Sequence, residues 1–94
     1  MPSNAHTLKW GNNARNDFRK IIEFIDEVNP PAAEALAEQI LESVDRLLTF
    51  PLSYRSGREP GTREMPVGKY VVIYTVSETD VFIFRLLHSA QQWP

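Results

Sequence analysis

Tyr70 to Val76 reads YVVIYTV, a run with no charged residue and only one that is not apolar. β-Branched and aromatic side chains dominate it. Such a run belongs to a strand buried on both faces, at the centre of a sheet. Gly68 lies just before it, where a tight turn returns the chain from a shorter strand over residues 62–67. Ser77-Glu78-Thr79-Asp80 makes a second turn, and residues 81–87 form another apolar run. The C-terminal half is therefore a β-meander, and everything before it has to pack against that sheet.

The first half supplies the covering layer. Leu8 and Trp10 alternate with polar neighbours, which predicts a short first strand over 7–10. Gly11-Asn12-Asn13 is a turn able to cap a helix. From there Ala14, Phe18, Ile21, Ile22, Ile25 and Val28 recur at helical spacing, with Arg15, Arg19, Glu23 and Asp26 off the stripe. Asn29-Pro30-Pro31 stops this helix, because a residue before Pro is driven out of the α region. Pro31 suits the first turn of the next helix. That helix carries Ala33, Leu36, Ala37, Ile40, Leu41, Val44, Leu47 and Leu48 and is expected to run until Pro51. So short a link forces an antiparallel helical hairpin. A polar loop over 52–61 leads to the meander, and 89–94 forms a tail. The order is β-α-α-β-β-β, an α+β sandwich of two layers with the hairpin on one face of a mainly antiparallel sheet.

With 94 residues the chain has room for one domain, spanning 1–94. It contains no Cys, so disulfide and thiolate chemistry are absent, which fits a reducing compartment. The first residues have neither a charged n-region nor an apolar h-region, and no apolar run nears the roughly 20 residues that span a bilayer. The expectation is a cytoplasmic protein with no membrane association. Net charge is −2. A protein held on nucleic acid by many phosphate contacts carries a basic excess, so this balance argues against a general nucleic-acid binder.

Metal chemistry is not expected: His6 and His88 are the only histidines and neither has another ligand type at metal spacing. No glycine pattern forms a phosphate loop, and no Ser sits on a strand-to-helix elbow. What remains is a polar, mostly basic set near the sheet: Tyr54, Arg55, Arg58, Arg63, Lys69, Arg85 and His88. Metal-free RNA cleavage needs such a set, with a base for the 2′-hydroxyl, cations for the phosphorane and an acid for the leaving oxygen. The competing reading makes the same arginines surface pairs or a cross-strand polar ladder. Trp10 reads as core, whereas Trp93 is either tucked against the domain or kept ready for a partner.

Taken together, these residues resemble the RelE/ParE superfamily of toxins from bacterial type II toxin–antitoxin modules. The pattern runs from the strand ending in Trp10 through Ala14, Asp17, Ile21 and Ile25, Asn29-Pro30, Arg58 and Gly61-Thr62-Arg63-Glu64. It continues into Tyr70–Val76 and Leu87-His88-Ser89-Ala90-Gln91-Gln92-Trp93-Pro94. The resemblance implies a toxin neutralised by a cognate antitoxin that winds along the helical hairpin and a sheet edge. Phe18, Ile22, Ile25, Leu36, Ile40 and Leu47 are the candidate antitoxin-binding residues. It also implies a hetero-oligomer with a ParD-like or RelB-like antitoxin, contact with DNA only through that antitoxin, and no cofactor. Of the superfamily's two activities, inhibition of DNA gyrase, with growth arrest, is favoured by the terminal motif and the acidic balance. Arg58, Arg63, Arg85, His88 and Trp93 are then candidate target contacts. The alternative is ribosome-dependent mRNA cleavage, with Arg63, Arg85, His88 and Tyr54 as catalytic groups.

Overall fold

The computed structural model describes residues 6–94. Its elements are β1 (Thr7–Trp10), α1 (Asn12–Asp26), α2 (Pro30–Arg46), β2 (Arg63–Val67), β3 (Tyr70–Val76) and β4 (Asp80–His88). The four strands form one sheet of order β1-β4-β3-β2. β3 pairs antiparallel with both neighbours, and β1 joins parallel to β4 at the far side. The sheet is thus mixed but mainly antiparallel, with the apolar run at an interior position as its composition requires.

Local chemistry sets both hairpins. Gly68 has φ +58° and occupies the first of two turn positions between Val67 and Tyr70, which face each other in register. A glycine with positive φ at that place makes the turn whose twist matches the strands. At the other hairpin Ser77 N–H donates to the Asp80 carbonyl, and Ser77 Oγ accepts from the amides of Thr79 and Asp80.

The register between β3 and β4 slips once. Ile73 faces Arg85, but Tyr74 faces Ile83, so Phe84 is an extra residue in β4. Strict alternation would put Ile83 and Leu86 on opposite faces. The bulge brings both to the helix side, where they join the core. That core takes Ala14, Ile40, Val44 and Leu47 from the helical layer and Met65, Val67, Val72, Tyr74, Val81, Ile83 and Leu86 from the sheet. Ile73, between Val72 and Tyr74, is buried too, so the middle of β3 is covered on both faces.

α1 starts directly after Gly11, whose backbone lies so close to β4 that a Cβ there would stand 2.7 Å from the Phe82 ring. Asn29 caps the start of α2, its side chain accepting from Ala32 N–H, with proline in the first turn. It ends at Arg46, short of the Pro51 stop expected from sequence. The amides of Leu47, Leu48 and Thr49 each donate three residues back, so the chain tightens out of the α-helix before any proline intervenes.

Three positions on the expected stripes behave differently. Val28 is 83% exposed, because the helix has already ended and its side chain hangs off the hairpin tip. Ile40 and Leu47, assigned to antitoxin binding, are fully buried in the core and present no surface to a partner. They point at the sheet because helix and sheet must close on each other first.

Truncating Ile40 to Ala should therefore destabilise the free protein by about 2–5 kcal/mol. Phe24→Ala, at a position 73% exposed, should change stability by no more than about 0.5 kcal/mol. Urea unfolding of the two variants against the parent chain checks this ordering.

Candidate functional site

Arg85 follows the bulge in β4, and its guanidinium reaches across to α1. Nε and Nη2 donate to the two carboxylate oxygens of Asp17 at 2.7 and 3.0 Å. Asp17 also accepts the backbone N–H of Leu86 at 3.0 Å. One carboxylate thus ties the helix to a side chain and to a main-chain amide of the sheet, in a fork geometry that is stronger than a single contact. Both side chains are mostly shielded.

Arg58 is held in a similar way. Its Nε and its own backbone N–H donate to Glu64 Oε2, and Nη2 donates to Oε1. Glu64 is 4% exposed. The Arg58 hydrogen bonds hold its carboxyl below the usual carboxylate range, against the upward push of burial. Arg58 also donates to the Trp93 carbonyl at 3.4 Å, while the Trp93 ring meets Phe84 edge-on at 5.9 Å. The tail is therefore tucked against the domain. Phe82 and Phe84 stand on the sheet face away from the helices, beside a cleft flanked by Pro60, Thr62 and Thr75.

Arg63 Nη1 donates to the backbone carbonyls of Tyr54 and Leu52, stitching the loop before β2 to the strand. The Tyr54 side chain packs against the core. His88 ends β4 exposed, its ring edge-on to Tyr70, with Nδ1 accepting the Ala90 amide. Tyr74, the other phenol near this region, donates to the Pro51 carbonyl, and burial pushes it up to about 12. It is a structural tyrosine, not a proton carrier.

The four candidate catalytic residues thus serve separate neighbours. None of Arg63, Arg85, His88 and Tyr54 lines the clefts beside Trp10, beside Ile22, beside Arg55 or beside Pro60. The polar ladder between Arg63 and Arg85 does not form either: β3 lies between their strands, and each arginine turns to an acceptor outside it. Among the described residues no group of three or more His, Cys, Asp or Glu is placed to hold a metal ion. No described helix is long and apolar enough to cross a membrane.

The helical hairpin offers a better-defined surface. Phe18, Ile22, Ile25 and Leu36 are half-buried there, Phe18 and Leu36 packing against the core. Two clefts lie along it. One is lined by Trp10, Arg15, Phe18 and Leu41, the other by Ile22, Asp26, Pro30, Pro31, Ala33, Glu34 and Ala37. Leu41 is 48% exposed and went unassigned in the sequence because its spacing matches the core stripe. Asp17 and Glu64 were also missed as partners of the arginines. Asp17 and Arg85 are far apart in sequence, and Glu64 stands beside Arg63 yet pairs with Arg58.

Linkage gives a test of the Glu64 assignment. A carboxyl lowered on folding contributes stability that is complete above its ordinary range and fades as pH falls through the folded value. Urea midpoints measured at pH about 7 and about 3 should therefore drop further for the parent chain than for Glu64→Gln. Equal losses would show that Arg58 does not act on Glu64 in solution.

Residues 8–93 match the family described as the ParE toxin of the type II toxin–antitoxin system, parDE. The protein Y4kP of Sinorhizobium fredii is 34% identical over 89 residues, spanning 93% of this chain and 92% of that one. Among solved structures, the chromosomal ParDE system from P. aeruginosa superposes with a TM-score of 0.81 at 22% identity, over 92% of this chain and 98% of its own. The RelBE2 toxin–antitoxin complex of Mycobacterium tuberculosis gives 0.64 at 24% identity, over 89% and 98%. The YoeB dimer of Staphylococcus aureus gives 0.63 at 10% identity, over 89% and 97%. These structures share the α+β fold, and the family match covers nearly all of the sequence. The chain belongs to the ParE toxin family of type II toxin–antitoxin systems, within the RelE/ParE superfamily.

Proposed function

We propose that this chain acts as a ParE-like toxin that binds DNA gyrase in the cytoplasm and stops supercoiling, and that a ParD-like or RelB-like antitoxin silences it. One observation carries the choice of gyrase over mRNA. Both arginines named as candidate catalytic groups, Arg63 and Arg85, are already bound to this chain's own acceptors, Arg85 to Asp17 and Arg63 to main-chain carbonyls, and Arg58 is bound to Glu64. A cation committed to a carboxylate is poorly placed to stabilise a developing phosphorane. The target surface is then the open sheet face, where Phe82, Phe84 and Trp93 form an apolar group beside Arg58. Aromatic and arginine side chains are the usual anchors of a protein interface. The antitoxin takes the other side, along Phe18, Ile22, Ile25 and Leu36, and DNA is contacted only through it.

Antitoxin-free protein added to purified gyrase should abolish ATP-dependent supercoiling and leave gyrase-dependent DNA breaks. Primer extension on translated mRNA should meanwhile find intact transcripts. Normal supercoiling together with cut mRNA would reverse the assignment in favour of ribosome-dependent cleavage by Arg63, Arg85, His88 and Tyr54.

A further inference from the structure

Around the aromatic group on the open sheet face the charges do not balance. Lys9 stands opposite Phe82 in the β1–β4 register, and its ammonium lies 3.5 Å from Asp80. Arg58 is spent on Glu64. Glu59 is half-buried, yet it enters none of the ion pairs among the described residues, which join Lys9 to Asp80, Arg58 to Glu64 and Arg85 to Asp17. Its place is fixed by the turn before β2. The Glu59 carbonyl accepts Thr62 N–H at 3.1 Å and the Thr62 hydroxyl at 2.6 Å, and Thr62 is itself buried.

Beside this turn lies a cleft of about 400 Å³, lined by Glu59, Pro60, Thr62, Thr75, Phe82 and Phe84. Its aromatic wall is held in position. The Phe82 ring rests against the backbone at Gly11, and Phe84 has Phe82 on one side at 6.3 Å and Trp93 on the other at 5.9 Å between centroids. Both phenylalanines keep about a third of their surface open, 36% and 37%.

A protein that closed this cleft with an apolar side chain would take the Glu59 carboxylate out of water without a counter-charge, which is heavily penalised. An acidic side chain would add like-charge repulsion. A basic side chain removes the penalty. Its hydrocarbon stem covers ring surface, its cation is attracted to the ring faces, and the carboxylate pairs with it.

We propose that this cleft seats one arginine or lysine side chain of the protein target, with the cation over Phe82 and Phe84 and paired to the Glu59 carboxylate. The seat rests on the reading that the open sheet face meets the target, and it names the chemistry of the target's anchor.

Two measurements test it. The first needs no target: acetyl-arginine-amide is titrated into the chain at constant ionic strength and followed by NMR. The Phe82 and Phe84 ring signals should shift over tens of millimolar, and the shifts should be lost in Glu59→Gln. Rings that stay in place, or that shift equally in Glu59→Gln, would overturn the seat. The second measures binding to gyrase. Glu59→Gln should bind at least about tenfold more weakly than the parent chain, with a flatter salt dependence. Glu42→Gln, at an exposed position on α2, should bind as the parent does. Urea midpoints of Glu59→Gln and the parent should agree, since the fold gives this carboxylate no cation to lose. Full-strength gyrase binding by Glu59→Gln would overturn the seat and leave gyrase standing as the target. A parent chain that ignores gyrase while the amide still shifts the rings would overturn the gyrase reading and keep the cleft as a cation seat.

Discussion

The extra residue in β4 decides how the two layers meet. With Phe84 inserted, Ile83 and Leu86 both turn to the core and Arg85 comes free to reach α1. Asp17 then closes the junction by accepting two bonds from the guanidinium and one from the Leu86 amide. A partly buried carboxylate with three donors is well satisfied. The same carboxylate left without Arg85 would cost more than the bond itself is worth. The interaction ties the helical layer to the sheet beside the seam along Phe18 and Leu41.

The two faces of the domain differ in consequence. On the helix side, half-buried apolar residues line a seam rimmed by Arg15, Asp26 and Glu34. On the far side of the sheet, Phe82, Phe84 and Trp93 gather around Arg58, which is itself fixed by Glu64. Both surfaces are shallow and suited to side chains of another protein. Neither brings a base, an acid and a free cation together. This arrangement supports the proposal of a toxin that works by binding, with one face for the target and one for the antitoxin.

Much of the architecture was legible in the residues. The apolar run of β3, the Gly68 and Ser77 turns and the Asn29-Pro30-Pro31 break each act over a few residues, and all appear where local chemistry puts them. The end of α2 was misplaced because its stop depends on how the chain turns toward β2 and not on Pro51. Which apolar residues would be surface was less readable. Ile40, Leu47 and Leu41 share one helical period, yet the first two meet the sheet and the third lies at the rim of a cleft. The roles of the arginines were least readable, since a guanidinium looks the same in sequence whether it meets a phosphate or Asp17. The bulge that aims Arg85 has no signature in the alternation of residues 81–87.

The structural role of Arg85 can be measured with a double-mutant cycle on the free protein, combining Asp17→Asn and Arg85→Gln and following urea unfolding. If the pair joins the layers, each single variant loses stability and the coupling between them is on the order of 0.5–3 kcal/mol. Additive losses with no coupling would mean that Arg85 is unattached in solution and available to a phosphate, contrary to a toxin that acts by binding alone.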